Sequence, residues 1–314
     1  MHDSKLRSVD RTIVLATAVS LLLWASAFVV IRSVGRVLDP GPLAFSRLLT
    51  GTFVLTLLAL RRRKPLPRGR TLALVASYGV IWFAGYTVIL NWAERHLDAG
   101  TASMLVQVAP LLVAVVAGLF FGEGFPRPLL VGLAIAVVGV VVISIGSHTN
   151  GVNDVTAIVL GLLAAVLYAG GVLVQKLALP RVDALTATWL GCAIGALATA
   201  PFAGQAWSQL ALTPARDVIG VVYLGVGPTA VAFTTWAYAL SRTSAGRLTA
   251  TTLVVPAIAI GLSWLMLNEV PTPLATVGGL LCVAGVIVTR RRPGKADRSA
   301  ETPKVIDAPE PSAG

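Results

Sequence analysis

Gln107 lies inside an uncharged apolar run, residues 100–121, where no water is at hand for its amide. A polar side chain in hydrocarbon needs a partner, a cavity or an interface. Ser103 and Pro110 flank Gln107 at spacings of four and three. That places all three within about 60° of arc on one helix face. The chemistry such a face offers is recognition: an amide, a hydroxyl, and a backbone carbonyl released by the missing N–H of the proline. The competing role is local, a tolerated proline kink with the serine bonded back to its own helix.

Aromatic side chains form a second set. Tyr78, Trp82 and Tyr86 follow at i, i+4 and i+8 and make one stripe within about 80° of arc. Tyr223, Thr234 and Tyr238 share a face of a later apolar run that holds Pro228 beside Gly227. Rings with hydroxyls can wall an amphiphilic cavity, giving apolar contact and fixing orientation; they serve equally in helix packing. Trp24 is a further wall candidate on the same grounds. Arg47 is the one basic residue well inside an apolar run. From there it can snorkel to an interface or meet a substrate carboxylate.

The elements that position these residues follow from composition. Of the 314 residues, 56% are apolar and 12% charged, and the mean hydropathy is +0.82. A soluble domain carries about twice that charge, so the chain reads as an all-α integral membrane protein. Two cysteines, Cys192 and Cys282, far apart in apolar runs, give no disulfide framework. The net charge of +11 sits at the ends and in short gaps, above all in residues 61–70 and after 290. No continuous basic face is left for nucleic acid. A spanning helix needs about 20 apolar residues. Ten stretches qualify, near 12–33, 42–60, 71–92, 100–121, 128–146, 156–177, 185–203, 218–240, 246–268 and 273–290. Residues 1–11 form a short basic N-terminus whose following apolar run reads as an uncleaved first span. Residues 291–314 carry no apolar period and read as a disordered tail. With the N-terminus inside, only Arg32, Arg36, Arg95 and Arg216 of the loop cations fall outside. That bias predicts both termini cytoplasmic, in the inner or plasma membrane.

The chain also repeats itself. At a shift of 146, Gly79 falls on Gly225, Ala99-Gly100 on Ala245-Gly246, Pro110 on Pro256, Glu123 on Glu269, Gly132 on Gly278 and Gly139 on Gly285. At a shift of 144, Trp24 falls on Tyr168 and Arg32 on Lys176. Two five-span units, 12–146 and 156–290, are expected. An odd span number inserts the copies in opposite orientations, as a 5+5 inverted-topology repeat fit for alternating access. The repeat adds Thr249 and Tyr168 to the substrate-binding candidates and makes Pro110 and Pro256, with Pro228, the expected hinges. Glu123 and Glu269, at span exits, are expected to fix turns and pair with nearby cations. The glycines of spans five and ten favour close helix approach, as scaffold or as a homodimer surface.

These features resemble the EamA-type carriers of the drug/metabolite transporter superfamily. The residues that carry the resemblance are Trp24-Ala25-Ser26-Ala27-Phe28, Pro40-x6-Arg47, and the stretch from Ala99-Gly100 through Pro110 to Gly122-Glu123 with its echo from Ala245 to Asn268-Glu269. Asn268 in place of the first copy's Gly122 is a minor departure. The resemblance implies a secondary carrier of small organic solutes (amino acids, metabolites or drugs), working as an exporter. Its partners are the solute and the lipid bilayer. No cofactor is expected: no P-loop, HExxH or CxxC is present. His2, His96 and His148 are peripheral, which argues against Ser/His/Asp catalysis and against a proton relay through the core. The rival classes are a non-transporting membrane sensor or assembly partner and, with less support, an enzyme on lipid-linked substrates, which should group acids and histidines at one interface.

Overall fold

Long apolar runs leave the backbone no bonding partner but itself, and helix is what results. The computed structural model describes residues 2–62, 64–120, 127–146, 153–243 and 245–289, all helix and short connections with no strand among them. In chain order the helices are α1 (His2–Val34), α2 (Pro40–Arg62), α3 (Gly69–Tyr78), α4 (Thr87–His96), α5 (Ala99–Val106), α6 (Ala109–Phe120), α7 (Arg127–Gly146), α8 (Asn153–Ala178), α9 (Ala184–Ala198), α10 (Ala203–Leu212), α11 (Ala215–Leu224), α12 (Ala232–Arg242), α13 (Ala245–Thr251), α14 (Val255–Leu267) and α15 (Pro273–Thr289). Among the described residues, five stretches are long and apolar enough to cross a membrane: Arg11–Val34, Pro40–Arg62, Gly69–His96, Val155–Ala178 and Ala215–Arg242. A sixth candidate, α9 with α10, bends by 52° at Thr199. Among the described residues, shorter apolar stretches run over Ala99–Val113, Ala134–Ile143 within α7, Thr252–Leu267 and Pro273–Val288. Glu123 and the 291–314 tail lie outside the described residues.

The irregularities come in matching pairs. Wide π-helical turns run over Gly79–Tyr86, joining α3 to α4, and over Gly225–Val231, joining α11 to α12. They begin at glycines related by the repeat. A Cβ on Gly79 would sit 2.6 Å from Gly191 O, and one on Gly225 would sit 2.7 Å from Arg47 O. Positions 47 and 191 are themselves repeat counterparts, so the same tight crossing is built twice. The fourth and ninth expected spans are both broken. α5 ends at Gln107–Val108, before Pro110; α13 passes through a tight turn, Thr252–Val254, before Pro256. These breaks are why neither span is one long helix.

Hydrogen bonds fix the direction of each copy. Ser20 Oγ meets Ala232 O at 3.0 Å, Trp24 Nε1 donates to Pro228 O at 3.2 Å, and Ser26 bonds Tyr223. Rising numbers on α1 meet falling numbers on α11–α12, so these elements are antiparallel. Arg242 therefore lies at the N-terminal end of α1 and Arg32 at its C-terminal end. Lys176, the counterpart of Arg32, donates to Leu240 O and Thr243 O at 2.7 Å and so sits at the Arg242 end. The two copies run through the bundle in opposite senses.

α7 and α15 pack on each other along their glycines. A Cβ on Gly139 would meet Gly278 O at 2.6 Å, and one on Gly278 would meet Gly139 O at 2.6 Å. The glycine faces are thus closed against each other within one chain. Val131, Val138, Val141, Val277 and Leu280 are left facing outward. Sequence reading ended the third span at 92 and so left Glu94 outside it. The helix instead runs to His96, with Glu94 only 1% exposed.

Candidate functional site

α1 brings Trp24 and Phe28 to the centre of the bundle, and α8 brings Tyr168, the counterpart of Trp24. The two rings stand edge to face with centroids 6.4 Å apart. Trp82, Phe233 and Trp236 crowd the same point, at 6.1, 5.3 and 4.9 Å from Trp24. This aromatic plug floors a narrow cavity of about 40 Å³. Its walls carry Ala27, Phe28, Ile31, Leu90, Val106 and Val255, with Arg47, Tyr86, Gln107 and Thr252 as the polar points. The Trp82 indole N–H is buried there without an acceptor.

Arg47 is held by a chain of causes that starts at a proline. Pro228 has no N–H, so it cannot close the helix on Leu224 O. Thr229 Oγ1 takes that carbonyl at 2.8 Å. The same hydroxyl oxygen accepts from Arg47 Nε at 3.2 Å and Nη2 at 3.1 Å. The guanidinium is 5% exposed and points inward, not to an interface. Burial of a charge with one neutral partner is costly.

Gln107 and Thr252 meet across the repeat interface, Oε1 to Oγ1 at 2.9 Å. Sequence alignment pairs Gln107 with Leu253, but the tight turn at Thr252–Val254 presents Thr252 instead, the counterpart of Val106. Pro110 and Pro256 each lack the N–H that would close on the carbonyl four residues back, and those residues are Val106 and Thr252. Both line the cavity.

Among the sequence candidates, Trp24, Arg47, Trp82, Tyr86, Gln107 and Tyr168 come together on this cavity. The others do not line it. Tyr78 is buried behind Trp82, with ring centroids 5.8 Å apart, and accepts from Gln175 Nε2 at 2.8 Å. Ser103 donates to Gly100 O at 2.6 Å and Thr249 to Ala245 O at 2.8 Å. Tyr223 lies in a lateral groove beside Ser26 and Val30. Thr234 and Tyr238 line a cleft at the opposite end with Arg61, Arg62 and Arg242, whose guanidinium carbon stands 3.7 Å over the Tyr238 ring. Pro110, Pro228 and Pro256 are all buried. Sequence reasoning missed Phe28, Ile31, Leu90, Phe233, Thr252 and Val255. Phe28 and Ile31 could have been found, since they follow Trp24 at i+4 and i+7.

Polar ties join helix ends at both ends of the bundle. At one end Arg32 Nη1 donates to Glu94 O at 2.9 Å and Arg95 O at 3.0 Å, while its Nε meets Glu269 at 3.1 Å. Arg36 reaches Glu269 at 2.7 Å and Arg95 reaches Asp39 at 2.7 Å. At the other end stand the Lys176 bonds described above. Among the described residues no cluster of three His, Cys, Asp or Glu is placed to hold a metal.

Comparison with known proteins agrees with this architecture. The profile of the EamA-like transporter family matches residues 11–145 and again 155–291. A probable terminal-alkyne amino-acid exporter of Streptantibioticus cattleyicolor is 33% identical over 289 residues, which cover 92% of this chain and 96% of that one. A probable amino-acid metabolite efflux pump of Salmonella typhimurium is 24% identical over 282 residues, covering 85% and 91%. One crystal structure superposes with a TM-score of 0.61 at 19% identity, covering 93% of this chain and 99% of its own, a likeness of fold.

Proposed function

The chain belongs to the EamA-like transporter family, and from that premise we propose that it exports small organic solutes through the central cavity by alternating access. The carrying observation is the cavity's position. It lies where both copies break their helices at matching places, with Gln107 and Thr252 joined across the repeat interface. Broken helices at corresponding positions of two halves are how secondary carriers build sites near the bilayer midplane.

We read the five long helices, the bent pair and the four shorter helices as ten crossings in an inner or plasma membrane. The basic 61–70 segment and both termini would face the cytoplasm. Arg32 and Glu269 then close the external end and Lys176 the cytoplasmic end. Opening one latch while the other holds would expose the cavity to one side at a time. Pro110, Pro228 and Pro256 serve as the points where helices bend. Arg47 receives an anionic group of the solute, and the aromatic plug packs its apolar part. Two relatives carry names of amino-acid and metabolite exporters, which supports an organic solute of that size.

Reconstitution tests the reading. Liposomes holding the purified chain and loaded with a pool of amino acids and other metabolites should show counterflow of at least one. Protein-free vesicles should show none. Failure of every solute to exchange, from protein shown to be folded and inserted, would count against it.

A further inference from the structure

The cleft between α2, α9 and α12, at the Arg242 end of the bundle, shares no lining residue with the central cavity. It holds about 650 Å³. Arg61, Arg62, Lys64 and Arg242 line it, against one carboxylate, Asp183. All four cations are exposed, and none makes an ion pair among the described residues. Asp183 is engaged at the start of its own helix. Its Oδ1 accepts from Thr186 N at 3.3 Å and its Oδ2 from Thr186 Oγ1 at 2.7 Å.

The repeat supplies a comparison within the chain. At a shift of 144, Asp39 falls on Asp183, Leu58 on Phe202 and Arg61 on Gln205. At the Arg32 end the chain fills the matching place with its own side chains. Gln205 Nε2 and Gln209 Nε2 donate to Asp39 Oδ2 at 3.0 and 2.6 Å, and Asp39 N donates to Gln209 Oε1 at 2.9 Å. Phe202 lies against Gly41, whose missing Cβ leaves room for the ring. In the Arg242-end cleft, Leu58 is 42% exposed and Arg61 makes no ion pair with Asp183. One position of the repeat is thus plugged by the chain, and its counterpart is left open and cationic.

The open copy suits a ligand that is anionic at one end and apolar along its length. Guanidinium forks match the oxygens of a phosphate. Beside them Leu58, Val182 and Leu185 make an apolar wall. Leu49, Phe53 and Leu57, all exposed, follow at i, i+4 and i+8 and carry an apolar stripe along α2. A free phosphate leaves that surface bare, whereas an acyl chain covers it. Basic pockets between membrane helices on the cytoplasmic side are suited to anionic lipid head groups.

We propose that this cleft binds the phosphate head group of an anionic glycerophospholipid, with an acyl chain along the exposed stripe of α2. The lipid bridges α2 of the first copy and α12 of the second. It takes the place that Phe202, Gln205 and Gln209 fill at the other end. With the 61–70 segment read as cytoplasmic, the lipid comes from that leaflet. The site is independent of the solute carried.

The test is native mass spectrometry of the full chain in detergent, titrated with phosphatidylglycerol or phosphatidylcholine of the same acyl chains. Phosphatidylglycerol should bind at least about tenfold more tightly. Arg61→Gln and Arg242→Gln should each weaken it by about fivefold, the worth of one cation near an anionic lipid. Arg68→Gln and Arg70→Gln lie in the same basic segment but outside the cleft, and should change it by less than about twofold. Glycerol 1-phosphate, which carries the phosphate without chains, should not displace the lipid even in large excess. Melting temperatures in detergent report that each variant is folded. Equal binding of the two lipids, or unchanged binding in both Arg61→Gln and Arg242→Gln, overturns the proposal. Equal weakening by the Arg68 and Arg70 variants overturns it too, since that marks a diffuse surface attraction. Displacement of the lipid by glycerol 1-phosphate also overturns it, in favour of a soluble phosphate ligand.

Discussion

Arg32 and Lys176 occupy matching places in the two repeats, and each ties a helix end to a main-chain oxygen at a matching place. Arg32 Nη1 reaches Glu94 O at 2.9 Å; Lys176 Nζ reaches Leu240 O at 2.7 Å. The donors are related by a shift of 144 and the acceptors by a shift of 146. One device is therefore present twice, once at each end of the bundle. The ends differ in charge. Arg32 adds Glu269, which is partly exposed.

The latch predicts a ranking of variants. Arg32→Ala removes both carbonyl bonds and the ion pair, and should lower counterflow at least about fivefold. Glu269→Gln removes only the partly exposed ion pairs to Arg32 and Arg36, and such pairs contribute little. It should change counterflow by less than about twofold. Initial rates in liposomes of matched protein content check the order.

Gln107 and Thr252 form a polar link across the broken spans named above. Gln107→Leu and Thr252→Val should each reduce transport by about five- to tenfold, the worth of one buried hydrogen bond and the acceptor it strands. Trp82→Ala, which opens the aromatic plug, should reduce it further. Abundance in the membrane should stay normal for all three. Unchanged flux in all of them would remove the cavity from the transport route.

Much of this was legible in the residues and some was not. Helix periodicity and the 146-residue shift predicted the paired prolines at 110 and 256, because a proline's missing donor acts locally and leaves a sequence mark. Thr252 was invisible because a tight turn of three residues rotates the chain, so that the aligned position, Leu253, packs against the cluster of Leu111, Ala136 and Val286 instead. Tyr238 and Tyr223 shared a helix face with a cavity candidate, yet the π-helical turn at Gly225–Val231 changes the register, and they point elsewhere. Glu94 sat past the expected end of its span. Its helix continues because its end packs against α1 and α2, a contact that hydropathy does not record.

The glycine crossing of α7 and α15 makes a prediction about stability. A Cβ on Gly278 would meet Gly139 O and Ile143 N at 2.6 Å, main-chain atoms that cannot rotate away. Gly278→Val should force the helices apart at a cost of about 1–3 kcal/mol or more. A fall of about 5 °C or more in the melting temperature in detergent is expected. Gly261, with nothing near its missing Cβ, is the control, and Gly261→Ala should leave the melting temperature unchanged within error.

Orientation in the bilayer can be read by labelling. Leu66 and Leu212 are counterparts at a shift of 146, and both are exposed, at 56% and 88%. In a chain freed of Cys192 and Cys282, a cysteine at 66 should be labelled by an impermeant thiol reagent only from the cytoplasmic side. One at 212 should be labelled only from outside. Labelling of both from one side would contradict the inverted arrangement in the membrane.

The most direct test of alternating access uses the cavity wall itself. Val106→Cys in the same cysteine-free chain places a thiol beside Gln107 and opposite Thr252. The account predicts reaction with impermeant reagent from either side, faster from outside in Arg32→Ala and faster from the cytoplasm in Lys176→Met. Reaction from one side only, unmoved by either latch variant, would contradict it.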